Sequence, residues 1–262
     1  MERINFHFSV LVILFVSAAI LGAISVASEN REHNKISEEK EVPTLKIVAF
    51  GNSITAVRSN VQEVFAQRLP ALLKDIGIEA IVVNAGIGGS HSGRLVDNDR
   101  IKVKHALDRF ESAVLDEKPD LVIIGFGHND SHIDSNQPDG ESRIPLEAYR
   151  DNLVYMIGAL RKINSKIILV APSPIAQPQR PAFQNARLAE YAGMARAIAA
   201  EYKTGLADNS RLFLAYDKDG KDYASLLTDG VHPNDEGHRM IAENMVVEIA
   251  KIMKVKIRTK NQ

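Results

Sequence analysis

Four short segments carry side chains suited to a single reaction. "GNSIT" (51–55) presents Ser53, "GIGGS" (86–90) a run of glycines, and "GHND" (127–130) Asn129. "DGVHPND" (229–235) places Asp229 three residues before His232. A serine hydroxyl is a poor nucleophile until a base takes its proton. His232 can be that base, since an unperturbed imidazole titrates near pH 6.5 and shuttles protons at neutral pH. In a D-G-V-H-P turn the Asp229 carboxylate can curl back to the imidazole Nδ1–H and fix its tautomer. Gly230 permits that tight path, and Pro233 stiffens the exit. The negative oxygen of a tetrahedral intermediate needs preorganised donors, for which the candidates are the Ser53 N–H, the Gly89 N–H and the Asn129 amide.

Taken singly, each residue has a plainer role. Serine favours helix N-caps, so Ser53 alone reads as a cap. "GIGG" alone is a turn, Asn129 an Asx-turn residue, and Asp229 with His232 a surface loop. What favours a site is that all four segments follow predicted strands or precede the last helix.

From Leu45 onward, short β-rich runs alternate with helical periodicity. The expected strands are "LKIVAF" (45–50), "EAIVVNAG" (79–86), "PDLVIIGFG" (119–127), "SKIILVAPSP" (165–174) and a short "GLADNS" (205–210). Between them lie helical stretches at 61–77, 99–118, 146–163 and 182–203, with a last helix over 234–254. Pro70 is expected to kink or split the first of these. Near-continuous apolar strands alternating with helices predict a parallel sheet covered on both faces. In such sheets ligands bind beyond the carboxyl ends of the strands, which is where the four segments fall. One loop is long, residues 129–144, and a loop of that length beside a strand end is usually functional or mobile.

The chain has 262 residues, 32 Lys and Arg against 33 Asp and Glu, and no cysteine. A formal net charge of −1 argues against nucleic acid as a main partner. Lack of cysteine excludes disulfides, thiolate metal sites, a cysteine nucleophile and a lipid-modified cysteine anchor. Residues 1–28 read as an export signal: Arg3, then an uncharged apolar run, then the small-residue ending Ser25-Val26-Ala27. The run is long enough to span a bilayer, so an uncleaved N-terminal anchor is the alternative and the only membrane contact expected. Either way the body is expected outside the cytoplasm, periplasmic or extracellular. Residues 29–43 read as a charged tether, 44–256 as the folded domain, and 257–262 as a tail.

Together the segments resemble the SGNH (GDSL-type) hydrolase superfamily: "GNSIT" its first block, "NAGIGGS" its second, "GHND" its third and "DGVHPND" its last. The resemblance covers most of residues 45–250. It implies a flavodoxin-like three-layer α/β/α sandwich with a five-stranded parallel sheet. It also implies Ser53 as nucleophile, Asp229 and His232 as its partners, and Gly89 and Asn129 as oxyanion donors. Gly89 is chosen over Gly86 and Gly88 because it closes the pattern N-x-x-I-x-G from Asn84. The departure is Asn52, where the family usually has aspartate; a hydrogen-bonding role survives there, and a role for charge does not.

Two other nucleotide or hydrolase patterns fail. The elbow G-x-S-x-G lacks its second glycine at Thr55. G-x-G-x-x-G from Gly86 ends on His91. In "HNDSHID" (128–134), His128, Asp130, His132 and Asp134 alternate, which would suit a metal only in a strand. The composition is that of a turn, so His128 or His132 is expected to line the pocket or to sit in a hydrogen-bonded surface. Arg94, Arg180 and Arg187 are scattered and read as solvated. The expectation is an exported serine esterase, without metal or organic cofactor, acting on a glycan or small-molecule ester, with acetyl favoured because exported members of the resembled family often deacetylate glycans. A lysophospholipase or thioesterase, and a non-catalytic glycan- or lipid-binding module, are the alternatives. Oligomeric state is not readable.

Overall fold

A computed structural model describes residues 44–176 and 180–255. The export segment, the tether and the tail from 257 lie outside the described residues. Five parallel strands form one sheet: β1 (Leu45–Gly51), β2 (Ala80–Gly86), β3 (Leu121–Gly125), β4 (Lys166–Ala171) and β5 (Gly205–Asp208), in the order β2-β1-β3-β4-β5. The helices are α1 (Phe65–Asp75), α2 (Ala106–Phe110, continued by a π-helical turn Glu111–Leu115), α3 (Leu146–Lys162), α4 (Ala182–Glu201), α5 (Asn209–Lys218) and α6 (Asp235–Ile252).

The alternation along β1 explains the three layers. Ile47 and Ala49 point to one face and pack with Leu69 and Leu73 of α1 and Ile241, Met245 and Ile249 of α6. Val48 and Phe50 point to the other and pack with Phe110 of α2, Leu153 and Met156 of α3, and Tyr191 and Ile198 of α4. A strand covered twice must be apolar throughout, and each fully buried Ile, Leu or Phe contributes roughly 1.5–3 kcal/mol. This strand order is that of the flavodoxin-like doubly wound fold, and the chain reverses its winding between β1 and β3. A crevice opens at that switch point, beyond Gly51 and Gly125. No helix among the described residues is long and apolar enough to cross a membrane.

Pro70, expected to kink or split its helix, lies inside an α1 that runs unbroken over Phe65–Asp75. The missing N–H removes one bond, while Phe65, Ala66, Leu69 and Leu73 stay buried along one face. The helix expected over 99–118 begins only at Ala106, because the N–H groups of Ala106 and Leu107 are given to the carbonyls of His91 and Gly93 in a neighbouring loop. Asp108 also reaches back to the His105 N–H at 3.1 Å, closing the helix start. β5 stops at Asp208, whose carboxylate accepts the Arg211 N–H at 3.0 Å and so starts a helix, α5, that the sequence reading missed. "DGVHPND" therefore follows α5 and a 3₁₀ turn rather than β5 directly.

Candidate active site

β1 runs into a tight turn. The Asn52 carbonyl accepts the N–H groups of Thr55 and Ala56, at 3.1 and 3.0 Å, and the Asn52 side-chain oxygen accepts the Ile54 N–H at 2.9 Å. The hydrogen-bonding role open to asparagine is thus filled here, without the family's usual charge. The turn lifts Ser53 above the sheet edge. It caps no described helix, since α1 starts at Phe65 behind Val64. The end of β2 lies directly beneath: the Asn84 amide donates to the Thr55 carbonyl at 2.7 Å, and a Cβ on Gly86 would run into the Ala56 backbone.

Ser53 meets His232 across the sheet edge. Ser53 Oγ lies 2.9 Å from His232 Nε2, and His232 Nδ1 lies 2.7 Å from Asp229 Oδ2. The second carboxylate oxygen, Oδ1, accepts the backbone N–H groups of Val231 and His232 at 3.1 and 2.9 Å. Gly230, at φ +76°, supplies the left-handed step that folds the carboxylate back over its own turn. Burial alone would raise the Asp229 carboxyl. The His232 N–H, the imidazole and the Val231 N–H outweigh it and hold the carboxyl down at about 2. His232 is lowered from 6.5, chiefly by burial and further by Arg58 and Arg180, against the upward pull of Asp229. It is therefore neutral at pH 7 and free to accept a proton.

Two loops carry the other predicted residues. Gly89 sits at φ +78°, a conformation that glycine adopts without strain. Among the described residues, neither its N–H nor that of Ser53 finds a hydrogen-bond acceptor within the protein. The Asn129 amide gives one N–H to the Ser90 carbonyl at 3.0 Å, which ties the two loops and leaves the other N–H over. Asp130, with no solvent exposure, braces the same pair: its oxygens accept the Gly127 N–H at 2.9 Å and the Ser92 N–H at 2.8 Å. Ser53, Asn129 and His232 all line one cleft of about 270 Å³.

The remaining candidates scatter by role. His128 Nε2 lies 3.0 Å from the Ser173 carbonyl, and burial pulls its pKa to about 4. His132 lines the cleft and lies 3.7 Å from Asp134. With Asp130 committed to backbone N–H groups, the alternating set diverges, and no group of three or more His, Cys, Asp or Glu among the described residues is placed to hold a metal. Arg180, expected as a solvated position, is half-buried and lines the cleft, while Arg94, exposed, and Arg187 bond to the Leu107 carbonyl and to Ser142.

Several contributors escaped the sequence reading. Arg109 donates to the carbonyls of Gly51 (2.9 Å) and Ala85 (2.6 Å), clamping the ends of β1 and β2 below the turn. His91 and His105 stack at 3.5 Å, and each ring takes a backbone N–H on Nδ1, fixing the Gly89 loop.

A doubly wound α/β sheet with a serine–histidine–aspartate chain at its switch point is an arrangement suited to acyl transfer. Residues 49–240 match the GDSL-like lipase/acylhydrolase family, and the chain belongs to that family. Among related proteins, an acetylxylan esterase of Geobacillus stearothermophilus is 28% identical over 182 residues, covering 69% of this chain and 76% of that protein. The isoamyl acetate-hydrolyzing esterase 1 homolog of Mus musculus is 28% identical over 145 residues, 49% of this chain and 55% of its own. The chain spans about half the length of the latter relative and its human and bovine counterparts. Among solved structures, the lipase/acylhydrolase from Enterococcus faecalis aligns over 82% of this chain and all of its own, at 26% identity and a TM-score of 0.65. The acetyl xylan esterase AlAXEase aligns over 77% and 98%, at 27% identity and a TM-score of 0.60.

Proposed function

We propose that the protein is a serine esterase that removes a short acyl group, principally acetyl, from a carbohydrate or related small molecule. The observation that carries this reading is the continuous hydrogen-bonded chain Ser53–His232–Asp229 opening into a cleft beside N–H donors that are unpartnered among the described residues. Ser53 Oγ attacks the ester carbonyl as its proton passes to His232 Nε2. Asp229 holds the Nδ1–H and stabilises the imidazolium that forms. The N–H groups of Ser53 and Gly89 and the free amide N–H of Asn129 receive the developing oxyanion. His232 then returns its proton to the departing alkoxide, leaving an acyl-serine. Water attacks that ester, giving its proton to His232, and the acid leaves as Ser53 recovers its hydroxyl.

Two observations support a short acyl group. Similar proteins carry names that specify acetate or acetylxylan. The cleft, about 270 Å³, falls just under the ~300–1,000 Å³ of small-molecule sites, and suits a compact ester better than a long chain. The apolar, uncharged run after Arg3 supports export of this enzyme, with the ester substrate met outside the cytoplasm. Hydrolysis of p-nitrophenyl esters from acetyl to palmitoyl tests the reading, with Ser53→Ala alongside. Fastest turnover at acetyl or butyryl and a loss of about 10³-fold or more in the variant are expected. A variant within about twofold of wild type would reject the nucleophile; an optimum at long chains would reject the short-acyl substrate.

A further inference from the structure

The cleft is lopsided in charge. Two guanidinium groups, Arg143 and Arg180, line it with His132, and no carboxylate is among its described lining residues. Arg143 is already paired, its Nε and Nη2 meeting Asp134 at 3.0 and 2.7 Å. Among the described residues Arg180 has no such partner: its Nε is shielded from solvent and meets no acceptor. A shielded donor on a permanent cation is costly to leave without an acceptor, and the side chain that carries it is part of the cleft lining, so an acceptor that arrives with the ligand would suit it.

Arg180 also stands close to the chemistry. Its charge lowers the pKa of both His132 and His232, which places it within electrostatic reach of the two. Its segment is braced to the catalytic turn: the Arg180 N–H donates to the Ala176 carbonyl at 3.1 Å, and the Ala176 N–H to the Gly230 carbonyl at 2.8 Å. The backbone that carries Arg180 is therefore tied to the loop that carries Asp229 and His232. Planar guanidinium recognises carboxylate by two parallel N–H bonds, a geometry that a neutral hydroxyl cannot match.

We propose that Arg180 is the anion-binding group of the cleft, and that the natural substrate is an ester bearing a free carboxylate near the scissile bond. The inference rests on the esterase reading for its chemistry. The carboxylate belongs either to the alcohol, as in an acetylated uronic acid, or to the acyl group, as in a hemiester of a dicarboxylic acid. Two substrate pairs separate these sources: acetylated methyl glucuronoside against acetylated methyl glucoside, and p-nitrophenyl hemisuccinate against its methyl ester.

The readout is the ratio of kcat/KM, acid over neutral, in wild type, Arg180→Gln and Arg180→Lys. One pair is expected to favour the acid by about tenfold or more, the scale of one charge-assisted hydrogen bond. That preference should vanish in Arg180→Gln and survive in part in Arg180→Lys. Ratios near one in both pairs, with neutral esters cleaved, would overturn the inference and leave the esterase reading standing. A preference that persists in Arg180→Gln would also overturn it. Should no ester be cleaved, the esterase reading fails and calorimetry decides: binding of methyl glucuronoside or succinate, but not methyl glucoside, that disappears in Arg180→Gln supports the anion site. Equal binding of acid and neutral ligands, or none, rejects it.

Discussion

His238 makes the fold's resistance to acid calculable. It sits in the first turn of α6 with no solvent exposure. Its Nδ1 accepts the Phe65 N–H at 3.3 Å, where α1 begins, and its Nε2 meets no partner among the described residues. Burial, aided by the Arg58 and Arg68 cations, lowers its pKa from 6.5 to about 4. The folded imidazole is thus neutral over a range where the unfolded chain binds a proton. Stability is complete above about pH 6.5, falls as the pH drops toward 4, and levels off below. With those two values, going from pH 7 to pH 5 removes about 2 kcal/mol, and the limit below pH 4 is about 3 kcal/mol. His238→Asn keeps an oxygen where Nδ1 accepts the Phe65 N–H and does not titrate. Urea unfolding at pH 7, 6 and 5 should therefore show the wild type losing about 2 kcal/mol more than the variant between pH 7 and 5. Other acid-sensitive groups are common to both proteins and cancel. Losses equal to within about 0.5 kcal/mol would refute the linkage.

Other perturbations act on the site itself. Asp229→Asn should lower kcat about 10³–10⁴-fold, because the amide no longer fixes the His232 tautomer; ester hydrolysis at neutral pH measures it. In the wild type the acidic limb of kcat/KM should fall below pH 6.5, since burial lowers His232, while Asp229, held at about 2, stays ionised throughout. A limb midpoint above 7 in a pH–rate profile would contradict the assignment of His232 as base. Asp130→Ala strands the buried N–H groups of Gly127 and Ser92, and should cost about 2–5 kcal/mol in chemical unfolding while lowering kcat through the loosened Asn129 loop.

The sheet was legible because burial on both faces makes its strands uniformly apolar, as in "LVIIG" of β3. Ser53, Asp229 and His232 were legible for a different reason: each sits in a short polar segment, after β1 or before α6, whose residue types suit one reaction, and the structure brings them within hydrogen-bond distance. Helix starts were not legible where tertiary bonds set them. Ala106 begins α2 because His91 and Gly93 take its N–H groups and those of Leu107, a contact between segments that no local pattern reveals. Asp208 read as the tail of a strand, although its carboxylate caps α5. Arg180 read as solvated for a similar reason. An arginine in a loop carries no periodicity, and only the packed structure places it against the cleft.

The polar groups outside the serine–histidine–aspartate chain share one task. Ser53 follows β1, Gly89 follows β2, Asn129 follows β3, and His232 lies on a loop before α6, so four separate connections have to agree to within a hydrogen bond. Apolar packing beneath the sheet edge cannot set that register, because it is tolerant of small shifts, whereas hydrogen bonds are directional. Arg109 locks the ends of β1 to β2, Asn84 locks β2 to the Ser53 turn, and Asp130 locks the Gly89 and Asn129 loops to each other. Each of the three reaches backbone groups rather than other side chains, so it fixes where the loop runs and not merely which residue it carries. Ser53, His232 and Asp229 are then joined to one another by two bonds. Ser53 Oγ bonds to His232, and the donors that would face an oxyanion meet no acceptor among the described residues, which is the condition for a site organised before its substrate arrives.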